Sequence, residues 1–436
     1  MFPDSESPPR RRIVQTPRLV AVRLVVFLGL LALTVRGIFA RRVYLRSSSA
    51  VLLLFWVALT TFAVWVMRQV TRLPHPHPPH EPDNGTAPIV TQRFDQAAAN
   101  PAAQQLRLYP LQTGWTRVSF GQFFGGHEGW IGLRAVWKMG ADEATMFWAP
   151  VHAYLLEHPT LGPILIDTGI SRRQTQPDYY SARKGGLTGL IWQSIDNWLP
   201  AEQELVAQLA HHGYRPEDIQ HVILTHLHED HVGELYRFAG ATVHLAAAEW
   251  ADRARMGYSP GYAAITRWHH FTYDGGRFYS FAACADLFGD GLVIALPTPG
   301  HSYGHMSLLI QMGTYQVCLA GDALYTLRHL DADSLAAFNY FGAVGFATQQ
   351  DSVRRLATLQ VALPDLVLIP THDPFAYTFT LIQPFLADGQ LSPAERAALQ
   401  EYQQRLFDSR GVLKTEAYPR FEQVRQDYGR VHAPLP

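Results

Sequence analysis

The sequence predicts a mixed α/β body carried behind a membrane-anchored head. Three observations lead there: a 21-residue stretch, Ser47–Met67, holds no charged side chain; from Leu106 onward short β-rich apolar runs alternate with helical ones; and several of those runs end in His or Asp. With 436 residues, 47% hydrophobic and 17% charged, the chain has ample material for a large core, which excludes a wholly disordered protein. A formal net charge of −1 leaves no electrostatic footprint for a nucleic-acid partner.

Residues 1–72 contain eleven Arg and two acids, Asp4 and Glu6, a charge of +9; the remainder holds 25 basic and 35 acidic side chains, a charge of −10. Ala50–Met67 is almost entirely apolar and long enough to cross a hydrocarbon core of about 30 Å as a helix. Trp56 and Trp65 lie toward its ends, where amphipathic rings favour the interface. An earlier apolar run, Leu19–Val35, is interrupted by Arg23, whose long side chain can snorkel. Residues 1–72 are therefore expected to be a membrane anchor of one or two transmembrane helices, with spans at about 19–35 and 50–67, placing the protein at a bacterial inner membrane. One span puts the body outside the cytoplasm by the positive-inside rule and two put it on the side of the N-terminus, so the side stays open. Residues 73–105, with Pro-His alternation over His75–His80, read as an extended linker.

In the body, Val151–Glu157 and Ile164–Ile166 read as neighbouring strands, the second ending in Asp167-Thr168-Gly169. Ala201–His211 reads as a helix, with Leu205, Val206 and Leu209 at helical spacing. Pro216–Ile219 is a turn, and His221–Leu224 a buried strand running into Thr225-His226-Leu227-His228-Glu229-Asp230-His231. Gly291–Leu296 leads to Thr298-Pro299-Gly300-His301, with His305 four residues on. Tyr315–Ala320 leads to Gly321-Asp322, and Leu366–Ile369 to Pro370-Thr371-His372-Asp373. Ser392–Tyr428 reads as a helical tail, suited to packing on the body or to self-association in a homodimer. Only Cys284 and Cys318 occur, which excludes a disulfide scaffold and a Cys-rich zinc module; whether the two pair stays open.

The His and Asp residues define a chemistry. In an extended segment His226 and His228 point the same way, so their imidazoles can hold one ion, while Asp230 and His231, after the turn, can hold a second. These donors suit Zn²⁺ or another borderline divalent ion. The pattern His-x-His-x-Asp-His is specific, with about 0.002 chance matches expected per chain at these residue frequencies.

With this pattern the chain resembles the metallo-β-lactamase superfamily of dinuclear metallohydrolases over roughly residues 106–385. The resemblance implies an α/β (α+β) fold, the four-layer αββα metallo-β-lactamase sandwich with metals at one edge of the paired sheets, leaving residues 386–436 as a C-terminal helical extension. It implies two divalent metal ions, Zn²⁺ the first candidate. His226, His228 and His301 would bind one, Asp230, His231 and His372 the other, with Asp322 bridging both. Asp167 would hydrogen-bond and orient ligand imidazoles, and His305 would support the set from outside it. The implied reaction is hydrolysis without a Ser or Cys nucleophile. Tyr325, three residues past Asp322, looks like the arrangement in N-acyl homoserine lactonases, where the matching Tyr hydrogen-bonds substrate near the metals; Tyr325 and Asp230 are the implied catalytic residues. The implied substrate is a small lactone or related ester with an apolar tail, possible homoserine lactones included. A glyoxalase II-like thioester hydrolase, a phosphodiesterase and a mononuclear iron persulfide dioxygenase are alternatives on the same fold. Three features depart from the lactonase pattern: the membrane head, Glu229 where many lactonases are hydrophobic, and a long insertion at Ser171–Pro200. That insertion carries Tyr179, Tyr180, Trp192 and Trp198, and either covers an acyl chain or folds against its own surface.

Overall fold

Strands that are apolar on both faces must be covered on both faces, and this requirement sets the architecture that positions the site. The structure is a computed structural model that describes residues 56–58, 60–61, 89–119, 146–176, 179, 196–256, 261–330, 346–373 and 390–414. In chain order the elements are α1 (Ile89–Ala97), β1 (Arg107–Ser119), β2 (Met146–His158), β3 (Gly162–Ile166), β4 (Asp196–Trp198), α2 (Leu205–His211), β5 (His221–Ile223), the single turn α3 (Glu229–Val232) and β6 (Thr242–Ala246). They continue as α4 (Ala247–Met256), α5 (Gly261–Ala264), β7 (Arg267–Phe271), β8 (Ala285–Asp286), β9 (Val293–Pro297), β10 (Met306–Gln311), β11 (Gln316–Gly321), α6 (Phe346–Ala362), β12 (Leu366–Pro370) and α7 (Pro393–Leu406).

The strands form two sheets, ordered β4-β1-β2-β3-β5-β6-β7 and β12-β11-β10-β9-β8. β3, β5, β6 and β7 run parallel, as do β11 and β12. Alternation along β2 shows the layering. Tyr154 and Leu156 face a core shared with Val293, Leu308, Val317 and Ile369 of the second sheet. Ala153 and Leu155 face the opposite way, onto Leu205 and Leu209 of α2. The second sheet repeats the arrangement, with Ile294, Leu309 and Leu368 packed on Phe94 of α1 and Leu356 of α6. Helices thus line the outer face of each sheet. The candidate site residues all follow strand ends: Asp167 after β3, the His226–His231 segment after β5, His301 after β9, Asp322 after β11 and His372 after β12.

Several expected boundaries move. Residues 89–105 belong to the body and not to the linker: Val90, Phe94 and Ala97 lie on one face of α1 and are buried, with Phe94 edge-on to Phe278 at 5.2 Å. The helix expected from Ala201 starts at Leu205, because Glu204 is extended and closes a separate 3₁₀ turn at Ala201–Gln203. The tail helix, begun by the Ser392/Glu395 capping box with Pro393 in its first turn, stops at Leu406. Phe407 turns extended and pairs with Leu413 across a loop in which the Asp408 carboxylate accepts from the Arg410 and Val412 amides. Leu399 and Leu406 are buried in the body, so α7 packs on it. In the insertion, β4 extends the first sheet beside β1, and Trp198 stacks on Trp115 at 6.4 Å; Tyr180 and Trp192 lie outside the described residues. Cys284 and Cys318 are both free and buried.

The expected span at 19–35, and that at 50–67 apart from helical residues 56–58 and 60–61, lie outside the described residues, as does 73–88 of the linker. Among the described residues no helix is long and apolar enough to cross a membrane.

Candidate metal centre

The strand-end residues converge. Ligand-type atoms of His226, His228, His301 and Asp322 lie within 4.8 Å of one another, as do those of Asp230, His231 and His372. His226 Nε2 is 3.0 Å from His228 Nδ1 and 3.0 Å from His301 Nε2, and the last two atoms are 2.5 Å apart. Asp322 joins the groups. Its Oδ2 is 3.2 Å from His301 Nε2 and 3.8 Å from His226 Nε2, while its Oδ1 is 3.2 Å from His231 Nε2 and 3.3 Å from His372 Nε2. Asp230 Oδ2 lies 3.4 Å from His372 Nε2. The structure brings His226, His228, Asp230, His231, His301, Asp322 and His372 together, and the two carboxylate oxygens of Asp322 divide between the groups.

Hydrogen bonds behind the rings decide which nitrogens face inward. A carbonyl only accepts, so His372 Nδ1–H must donate to the Pro150 oxygen at 2.8 Å, which leaves Nε2 as the atom that faces the centre and can bind a metal once unprotonated. His231 Nδ1 likewise donates to Asp167 Oδ2 at 2.8 Å. Asp167 also accepts the Thr225 amide and hydroxyl, both at 2.8 Å; since the Thr225 proton is committed there, its oxygen accepts from His226 Nδ1 at 3.1 Å. His226, His231 and His372 therefore all turn Nε2 toward the Asp322 carboxylate, with Nδ1 engaged behind each ring. His231 Nε2 and Asp322 Oδ1 are buried with no hydrogen bond. Buried donor atoms of this kind call for positive charge among them, a proton or a metal ion, and the His and Asp set fits divalent metal ions.

The electrostatics agree. Burial pushes His226 and His301 well below the ordinary imidazole range, with neighbouring histidines adding to the effect, so both are neutral donors. Burial also pulls His231 down, but Asp322, Asp167 and Asp230 outweigh it and hold the ring well above its ordinary value. His372 is raised against burial mainly by Asp322. Burial pushes Asp322 up, yet His372, His231 and His301 hold it well below the usual carboxylate range. The second group thus attracts positive charge, and metal uptake there displaces protons.

Tyr325 is fixed between the groups. Its hydroxyl is 2.9 Å from His301 Nδ1, its ring centroid is 5.5 Å from His301 and 5.7 Å from His372, and its carbonyl accepts from the His372 amide. His305 supports the set from outside: its Nε2 accepts the Asp322 amide at 2.9 Å, and burial pushes its pKa down to about 3. The sequence reading missed His152 on β2. Its Nδ1–H donates to the Thr371 carbonyl at 2.8 Å, so β2 and the β12 end exchange two hydrogen bonds, His152 to Thr371 and His372 to Pro150. The available signal was a lone His inside the apolar run Pro150-Val151-His152-Ala153.

Gly321 lets this support reach Asp322. It has φ +54°, and a Cβ there would lie 2.7 Å from His305 Nε2, whereas Gly162, with φ +74°, has open space around it. In denaturant melts Gly162→Ala is expected to lose about 1–2 kcal/mol from backbone conformation alone. Gly321→Ala is expected to lose about 1–3 kcal/mol more, as His305 is displaced from the buried Asp322 amide. Equal losses would show that the His305 contact contributes nothing.

Comparison with known proteins places this centre. Residues 146–372 match the family model described as the metallo-beta-lactamase superfamily. The N-acyl homoserine lactonase AttM of Agrobacterium fabrum is 28% identical over 282 residues, covering 62% of this chain and 95% of that protein. The N-acyl homoserine lactonase of Bacillus cereus is 31% identical over 185 residues, covering 42% and 67%. Among solved structures, an N-acyl homoserine lactone hydrolase with the product N-hexanoyl-L-homoserine at its catalytic metal center aligns with a TM-score of 0.48 at 22% identity, covering 61% of this chain and 93% of that one. The matched segment contains every residue of the centre and spans more than half of the sequence: the chain belongs to the metallo-beta-lactamase superfamily and is a metal-dependent hydrolase.

Proposed function

We propose that the centre opens a lactone or a related ester, with acyl homoserine lactones the first substrates to test, and that it works with two divalent ions, zinc the first candidate. The observation that carries this reading is Tyr325, whose hydroxyl lies 2.9 Å from His301 Nδ1 and whose ring lies 5.5 Å from His301 of one ligand group and 5.7 Å from His372 of the other; the lactonase names of the relatives support it. His226, His228 and His301 would hold one ion and Asp230, His231 and His372 the other, with one oxygen of Asp322 for each. Bound there, divalent ions supply Lewis acidity and a water acidified toward neutral pH.

The chain's own residues do the rest. Asp167 and the Pro150 carbonyl hold His231 and His372 in the tautomer that offers Nε2. Tyr325 stays protonated, because burial and then Asp322 and Asp230 hold its pKa well above the ordinary phenol range. Its O–H can be aimed at the substrate oxygen on which negative charge develops. Asp230 is the carboxylate with solvent access, 24% exposed against 3% for Asp322. It can take the proton released as water adds to the carbonyl carbon and return it to the ring oxygen as that C–O bond breaks, giving the hydroxy acid. We also propose, on composition alone, that residues 50–67, with or without 19–35, anchor the chain to a membrane.

The test is turnover of acyl lactones beside a thioester and an aryl phosphodiester. Lactone opening should dominate, and Tyr325→Phe should lower kcat about 10²-fold at unchanged metal content. Inert lactones with an active thioester or diester would overturn the lactone reading, and one iron with no hydrolysis would point to the dioxygenase. For the anchor, alkaline carbonate extraction should leave the full chain in the membrane pellet; release into the supernatant would contradict it.

A further inference from the structure

We propose that Glu249 is a positioning residue that brings His226, His228 and His301 to a single point. The proposal rests on the reading that these three imidazoles hold one metal ion; it does not depend on the substrate.

Leu227 sits between two of the candidate ligands, beyond the end of β5 at Ile223, where its backbone has left the strand ladder. Buried backbone groups need partners, and here side chains from α4 and α5 supply them. The Leu227 amide donates to Glu249 Oε1 at 3.0 Å, and its carbonyl accepts from the Tyr262 hydroxyl at 2.9 Å. The other oxygen of the same carboxylate reaches the loop that carries the third ligand: Glu249 Oε2 accepts from Ser302 Oγ at 2.7 Å and from the Gly304 amide at 2.9 Å. One side chain in the first turn of α4 therefore ties the His226–His228 segment to the His301 loop.

Two further features argue that this tie serves the centre and not packing alone. Glu249 is fully buried at 0% exposure, and a carboxylate is a costly way to fill space where an apolar side chain of similar size would pack. The loop also lies directly on the helix backbone, since a Cβ at Gly304 would fall 2.0 Å from the Glu249 nitrogen. The need for such a tie follows from the centre itself. Three ring nitrogens carried on two separate loops lie 2.5–3.0 Å apart, and keeping them at one point requires the loops to be held from behind. Hydrogen bonds one step removed from a metal orient its ligands in this way.

The experiment compares the full chain with Glu249→Gln. Zinc affinity of the folded, chelator-stripped protein is measured by competition with a chromophoric chelator, alongside melting of the metal-free form. The amide keeps the shape but places an N–H₂ against the donors of the Leu227 amide or of Ser302 and Gly304. Zinc affinity should fall about 10–100-fold for one ion. A variant that melts lower yet binds zinc as the wild type does would overturn the proposal, leaving Glu249 a structural residue. If Glu249→Gln does not fold, Ser302→Ala removes one hydrogen bond of the tie and should weaken zinc binding in the same direction by less; unchanged affinity overturns it. A wild-type chain that takes up no zinc would sink the metal reading and this inference with it, an outcome distinct from a normal wild type beside a normal variant.

Discussion

The Asp322 carboxylate faces two groups of imidazoles at once, and the rest of the structure depends on making that junction tolerable. Its oxygens lie 3.2–3.3 Å from His301, His231 and His372, in a space buried from water. The surrounding hydrogen bonds engage Nδ1 of His226, His231 and His372 and turn Nε2 inward, so the protein has assembled a hollow of donor atoms that positive charge, a proton or a metal ion, stabilises. A chain that held these donors loosely would let them swing out to solvent.

The fold prevents that by delivering each donor from the end of a strand buried on both faces. β3, β5, β9, β11 and β12 are anchored in the core between the sheets, and the functional side chain follows within a few residues. Behind the donors, polar groups that could not stay buried unpaired are matched to one another. Asp167 takes up Thr225 and His231, His305 takes up the Asp322 amide, and His152 and His372 cross to opposite carbonyls. Asp167 holds φ +55°, a conformation uncommon outside glycine and tolerated by Asp, which points its carboxylate back toward Thr225 and His231. Rigidity at the centre is thus a consequence of satisfying buried hydrogen bonds, and the same bonds set the tautomers that metal binding requires.

Much of this was legible in the sequence for a physical reason. His226, His228, Asp230 and His231 come from one short segment after one apolar strand, so spacing alone places them together, and Asp322 and His372 stand within three residues of short apolar runs whose length suits strands. The supporting residues were harder to see, because their partners lie far away along the chain. Glu249 meets residues 22 to 55 positions distant, and His152 meets Thr371 at 219. Composition also hid α1: its three buried positions, Val90, Phe94 and Ala97, sit among Gln, Thr, Arg and Asp that read as linker. The break in the tail helix after Leu406 was not visible because helical spacing carries no sign of the Asp408 turn; residues 415–428 of the expected tail lie outside the described residues.

We propose that two ions share Asp322. Anomalous diffraction at a metal absorption edge, from crystals of the metal-loaded chain, decides this. Two peaks per chain are expected, one beside His226, His228 and His301 and one beside Asp230, His231 and His372, with an Asp322 oxygen on each. A single peak, or two peaks with Asp322 bound to only one, would contradict it.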